Sequence, residues 1–203
     1  MRLASITEAK VNEPTLHVVA AIGAAIALQL LLSSELAVGS KYAVAGLEVL
    51  LLIILIIPNL STRLKRIFAI GLMGVITLGN LISLGLVINA LVAGKSSNGH
   101  QLLLSSVAIY LTNIIVFGLL YWELDGTRGD QPDFLFPQAA TGPKSWQPTF
   151  FDYVYVSITN ATAFSPTDTM PLTHRAKILM TVQGLASLAT VALVTARAVN
   201  ILG

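Results

Sequence analysis

The sequence contains no cysteine, which removes disulfides, thiolate metal sites and cysteine nucleophiles from consideration. Charge is scarce: Asp, Glu, Lys and Arg supply 11% of the 203 residues, against about a quarter in a soluble globular domain. Neither sign dominates, with twelve basic and ten acidic side chains and a net charge of +2, too thin a surplus for a nucleic-acid partner. His17, His100 and His174 lie far apart at no ligand spacing, so no metal site is expected. Walker, dinucleotide and nucleophile-elbow motifs are missing too, and nothing points to an enzyme or a cofactor. What the chain has in quantity is apolar surface, at 55% hydrophobic residues and a mean hydropathy of +0.78. That excludes disorder, and with the length of a single domain it points to an integral membrane protein.

A helix needs about 20 mostly apolar residues to cross a hydrocarbon core roughly 30 Å thick. Five segments meet or approach that length: residues 16–37, 42–57, 67–93, 102–122 and 178–202. Between them stand turn and charge signals, namely Ser33-Ser34-Glu35, Pro58-Asn59, Arg63-Leu64-Lys65-Arg66 and the run from Gly94 to Gly99. The first segment is long for a cleaved signal and its flank mixes Arg2 and Lys10 with Glu8 and Glu13, so a retained helix is expected.

Between Trp122 and Ile178 the character changes. Residues 123–148 are polar and rich in Gly, Pro and Asp, and read as an exposed loop. Thr149-Phe150-Phe151-Asp152 then places a Thr-x-x-Asp start signal before an apolar stretch. The helix it opens runs to about Thr162, roughly 21 Å at 1.5 Å per residue and too short to span. Ser165-Pro166 and Met170-Pro171 follow, and proline biases its predecessor towards extended backbone. Non-helical backbone is tolerated at membrane depth only when buried in protein or lining water. The segment reads either as a re-entrant half-helix and loop or as an amphipathic helix lying flat at the interface.

The stretch from Val154 to Thr173 resembles the pore loop of tetrameric potassium channels, whose pattern runs L-Y-F-S-x-x-T-x-T-T-V-G-Y-G-D-x-x-P-x-T. Tyr155, Ser157, Thr162, Asp168, Pro171 and Thr173 fall on identical positions without a gap. Lys177 falls where that family often has a basic residue, and Gln183 and Ser187 fall on its E-x-x-x-G pattern. The resemblance covers about residues 149–200. The chain also resembles bacterial integral membrane proteins that share this pore-like ending without the filter glycines. It implies a homotetramer with a pore helix, a filter-like loop and an inner helix, with Ser187 at the hinge position.

The departure is equally specific. Ala163, Phe164, Ser165, Pro166 and Thr167 replace T-V-G-Y-G. A potassium filter aims successive carbonyls at the axis, which relies on backbone angles that glycine adopts cheaply. Pro166 fixes its own φ and lacks an amide proton. Potassium selectivity therefore does not carry over. In a four-fold assembly, Asp168 would form a carboxylate ring attracting cations, and Thr162, Ser165 and Thr167 would offer hydroxyl oxygens. The negative end of the half-helix near Thr162 favours the same charge, and Phe164 would make an apolar constriction. The competing reading is local: Asp168 caps or pairs nearby, for instance with Arg175.

Polar residues inside spans are functional candidates by default. Thr77, Asn80 and Ser83 share one helical face, where hydrogen bonding between helices is the plainer role. Glu48 is either a buried partner, for Lys41 in particular, or a proton or ion site, and its nearness to the helix end favours an interfacial position. Asp125, Asp130 and Asp133 do not match a known calcium loop. The positive-inside count sets nine basic residues on the side of the pore-like loop against three on the other. That puts the loop in the cytoplasm, whereas the resemblance puts it outside; the resemblance is followed here.

The expectation is an all-α transmembrane bundle of five spans, with a re-entrant pore helix and loop between spans four and five. Residues 1–98 would form a three-helix membrane region. Residues 99–203 would form the pore-like module: outer helix 101–122, extramembrane loop 123–148, pore helix 149–162, filter-like loop 163–173 and inner helix 174–202. The expected function is a weakly selective or non-selective cation channel in a plasma membrane, of the bacterial inner-membrane type. Its partners would be lipid, permeating ions and copies of itself. The alternatives are a non-conducting accessory membrane protein with a pore-like ending, and a membrane enzyme or transporter moving protons on Asp168 and Glu48.

Overall fold

A computed structural model describes residues 15–32, 36, 41–56, 61–92, 99–125, 132–143, 145–162 and 168–202. The chain is all-helical apart from one minimal sheet. Its elements are α1 (Thr15–Leu30), α2 (Lys41–Ile56), α3 (Thr62–Val92), α4 (Gly99–Leu124), β1 (Phe134–Leu135), α5 (Gln138–Thr141), α6 (Phe150–Ala161), β2 (Met170–Pro171) and α7 (His174–Leu202). Among the described residues three helices, α3, α4 and α7, are long and apolar enough to cross a membrane. This is fewer than the five spans expected from hydropathy. α1 and α2 hold 16 residues each, about 24 Å of helix. α1 ends at Leu30, where Leu31 and Leu32 tighten onto the carbonyls of Leu28 and Gln29, just ahead of the polar triplet that starts at Ser33.

α3 departs from expectation in the other direction. The basic run from Arg63 to Arg66, read as a break, forms its first turns. Ser61 starts the helix, its hydroxyl accepting the Leu64 N–H at 3.4 Å and its carbonyl the Lys65 N–H at 3.0 Å. The Arg66 guanidinium then crosses to the end of α4, 3.1 Å from the Glu123 carboxylate and 3.0 Å from the Glu123 carbonyl.

α4 is the central element, touching α1, α3, α6 and α7. Its buried side chains run all the way round its second half, from Val116 to Trp122, as expected of a helix enclosed by others. Ile22, Ala25 and Ile26 of α1 and Leu72, Met73 and Ile76 of α3 share one apolar core with Val116, Phe117 and Leu119. The segment read as an exposed loop in fact packs down. Phe134 and Phe136 are buried, and their rings meet Tyr121, Tyr153 and Trp146 at centroid distances of 5.2 to 6.1 Å. Aromatic bodies in contact supply the burial that the segment's polar composition hides.

Antiparallel pairing of Phe134 with Pro171 and Leu135 with Met170 ties this segment to the chain leading into α7. At Gly118 the backbones of α4 and α6 come close together. A Cβ added at Gly118 would sit 3.2 Å from the Val154 Cα and 3.3 Å from its Cγ2, so glycine is what lets the two helices meet there. Gly118→Leu should push α6 off α4 and cost about 1–3 kcal/mol, the usual penalty for overpacking. Thermal unfolding in detergent and hydrogen exchange over α6 would show it; an unchanged exchange pattern would disprove the contact.

Candidate functional site

The candidate site is the frame in which α6 stands between α4 and α7. Thr149 and Asp152 start α6 as their spacing requires: the Asp152 carboxylate accepts the Thr149 backbone N–H at 2.7 Å and its hydroxyl at 2.8 Å. α6 runs antiparallel to α4. Its first turn lies beside the end of α4, where Phe150 meets the Trp122 ring at 5.9 Å. By Ser157 it is level with Ile114, whose carbonyl accepts the serine hydroxyl at 2.6 Å. From Trp122 to Ile114 that is a drop of roughly 12 Å along α4 at 1.5 Å per residue. By Leu172 the chain is back at the top, with its N–H bonded to the Asp133 carbonyl at 2.8 Å.

Two polar clusters hold the arrangement. The inner one centres on Gln183 of α7, which is fully buried. Its Oε1 accepts the Tyr121 hydroxyl at 2.5 Å and Asn160 Nδ2 at 2.8 Å. Its Nε2 donates to the Ser157 carbonyl at 3.0 Å and hydroxyl at 2.6 Å. Asn160 also reaches the Met180 carbonyl at 2.9 Å. One turn further down, Asn113 of α4 donates to the Gln183 carbonyl at 3.3 Å and to Ser187 at 2.8 Å.

The outer cluster closes the top. Asp125 accepts the Tyr153 hydroxyl at 2.5 Å and the Asp133 N–H at 2.5 Å. Burial first, and the Asp125 charge second, push the Tyr153 hydroxyl up, well above the usual phenol range. Asp133 pairs with Arg175 and accepts the Thr173 hydroxyl. The same guanidinium donates to the Leu124 carbonyl at 2.5 Å, satisfying an orphan group at the end of α4. Thr173 in turn accepts the Ala176 N–H at 3.2 Å and starts α7.

Of the residues singled out from sequence, Ala163, Phe164, Ser165, Pro166 and Thr167 lie outside the described residues. Thr162 ends α6, its hydroxyl donated back to Ile158 at 2.9 Å and Thr159 at 3.2 Å. Asp168 is exposed. Arg175 makes an ion pair with Asp133. Ser187 is buried against α4, and α7 runs unbroken through it. Asn80 donates across to the Ile109 carbonyl of α4 at 3.0 Å. Glu48, expected near the helix end, is fully buried at mid-helix in α2. Asp125 and Asp133 are engaged as above, Asp130 lies outside the described residues, and no group of three His, Asp or Glu suited to a metal occurs among the described residues.

The residues missed from sequence are Asn113, Tyr121, Tyr153 and Asn160. Asn113 stood inside an apolar span, where a carboxamide is itself a signal; the aromatic hydroxyls left no trace in spacing. Comparison with protein-family models, curated proteins and solved structures finds no match.

Gln183→Leu should strand Tyr121, Asn160 and Ser157 together and lower stability by about 1–3 kcal/mol for the unpaired groups. Urea or thermal unfolding would measure it, and an unchanged midpoint would show the network idle. Arg175→Met should cost about 3 kcal/mol, since it leaves the buried Asp133 charge uncompensated. Adding Asp133→Asn should restore part of that loss, and additive effects in the double-mutant cycle would exclude coupling.

Proposed function

We propose that the chain is the pore-forming subunit of a homotetrameric cation channel, weakly selective or non-selective, resident in a plasma membrane. The observation that carries this reading is the path of α6. A 12-residue helix descends beside α4 to about half its length, and the chain is back at its starting level before α7 begins. A drop of about 12 Å enters a hydrocarbon core roughly 30 Å thick without crossing it. Outer helix, half-helix, returning loop and inner helix are the parts of a re-entrant pore module, and the resemblance of residues 149–200 to potassium-channel pore loops names the same parts.

The amphipathicity of α6 supports this against a helix lying flat. Ser157, buried, faces the bundle with Asn160, while Phe151, Tyr155 and Ile158 are exposed. An interfacial helix would turn its polar side to water; here α4 and α7 occupy that side. The exposed apolar faces of α6 and of α7, the latter along Ile178, Val182, Leu185 and Leu188, are available to neighbouring copies and to lipid. The C-terminal end of α6 carries the helix's negative pole, which favours a cation near it. Asp168, exposed, would form the carboxylate ring at the mouth. α1 and α2 complete five spans, their short lengths met by local bilayer thinning. The mechanism is passive permeation and no reaction is catalysed.

The bulky, proline-bearing sequence Ala163-Phe164-Ser165-Pro166-Thr167 favours a second reading, a non-conducting accessory protein built on the same frame. Flux from proteoliposomes under potassium, sodium, chloride and proton gradients separates the two. Cation flux is expected, and Asp168→Asn should reduce it about tenfold at low salt and less at high salt, because a carboxylate ring concentrates counter-ions electrostatically. A folded protein that passes no ion would transfer the assignment to the accessory reading.

A further inference from the structure

Glu48 stands apart from the pore-like half and from every cluster described above. It is fully buried within α2, and neither carboxylate oxygen has a hydrogen-bond partner among the described residues. Its own helix face is apolar one turn either way, at Ala45, Leu51 and Leu52, all packed on the common core. Gln29, near the end of α1, faces it, and the Gln29 Nε2 is itself buried with no hydrogen-bond partner among the described residues.

The basic groups on the packed elements are elsewhere. His17 of α1 and Arg63 of α3 are exposed, Lys65 is half-buried at the start of α3, and Arg66 is committed to Glu123. On α2 itself Tyr42 is exposed, and the Lys41 side chain lies outside the described residues. An ionised carboxylate is not stable in such a place without a counter-charge. A neutral acid is, and a carboxamide is its natural complement: the acid O–H donates to the amide oxygen while the amide N–H donates to the acid carbonyl.

We propose that Glu48 and Gln29 form a proton-binding acid–amide site between α1 and α2, with the acid held neutral. Loss of that proton leaves a bare charge against Ala45 and Leu52, so proton occupancy is coupled to the packing of α1 on α2. The site makes no use of the loop after α6 and stands whether or not the chain conducts.

The test uses the full chain in liposomes and the apolar reagent N,N′-dicyclohexylcarbodiimide. It consumes only the protonated acid: the carboxyl proton moves to one carbodiimide nitrogen, the carboxyl oxygen bonds to the central carbon, and acyl migration to nitrogen leaves a stable N-acylurea. Peptide mass mapping should find Glu48 modified at neutral pH, with a rate that falls about tenfold per pH unit once the site has titrated. A water-soluble carbodiimide should not reach it. Infrared spectra should carry a carboxylic-acid carbonyl band that is absent in Glu48→Gln and moved to higher frequency in Gln29→Leu, where the amide partner is lost. Equal modification by the two reagents, a pH-independent rate, or no carboxylic-acid band at neutral pH would overturn the proposal. The labelling arm needs only the unsubstituted protein, so a variant that fails to fold does not remove the test.

Discussion

The carboxamide of Gln183 decides how the second half of the chain is put together. All four of its hydrogen bonds are made, two received and two given, and they reach Tyr121 on α4 and both Ser157 and Asn160 on α6. A group in that position cannot be moved by one residue in any direction without leaving buried donors and acceptors empty, each costing about 1–3 kcal/mol. Apolar packing alone is permissive about sliding, since one leucine fits against another nearly as well. The carboxamide removes that freedom. It sets the register of α7 on α4, and through Asn160 the depth at which α6 stops.

Much of the frame was legible in the residues. The Thr149–Asp152 signal, the short reach of the helix after it, and the long apolar runs of α3, α4 and α7 are local features written in capping chemistry and hydropathy. Other features were not. α1 and α2 stop short because each ends or begins near polar residues, and hydropathy averaged over a window blurs such ends. The segment around Phe134 and Phe136 looked exposed because its composition is polar, yet two rings and one tiny strand are enough to seat it on Tyr153 and Tyr121. The meeting of Asn113, Tyr121, Asn160 and Gln183 is tertiary, joining residues up to 70 positions apart, and no spacing rule reports it. Of the loop residues named for the pore mouth, only the frame on either side, Thr162 and Asp168, is described.

The chain treats its buried polar groups in two ways. At the Gln183 carboxamide itself and around Asp133, donors and charges are matched one to another, and the matching joins elements that the chain order keeps apart. At Glu48 and Gln29 the matching is incomplete among the described residues. Matched clusters in an apolar interior rigidify what they join. An incompletely matched acid is where a change of charge state acts most strongly on packing, because a low-polarity surrounding magnifies it. The two kinds of site are linked through α4, which touches both α1 and α7.

The inverted amphipathicity of α6 carries a consequence for the order in which the protein is made. Its exposed side is apolar, and its polar groups depend on partners from both directions along the chain: Ile114 and Asp125 precede it, while Met180 and Gln183 follow it. When residues 150–161 leave the ribosome, Met180 and Gln183, which Asn160 will later bond, have yet to be synthesised. α6 cannot complete its hydrogen bonds as an independent unit; they close only once α7 has been made. Short helices of this kind are placed by the segment that comes after them, so biosynthesis of this fold runs backwards over its last step.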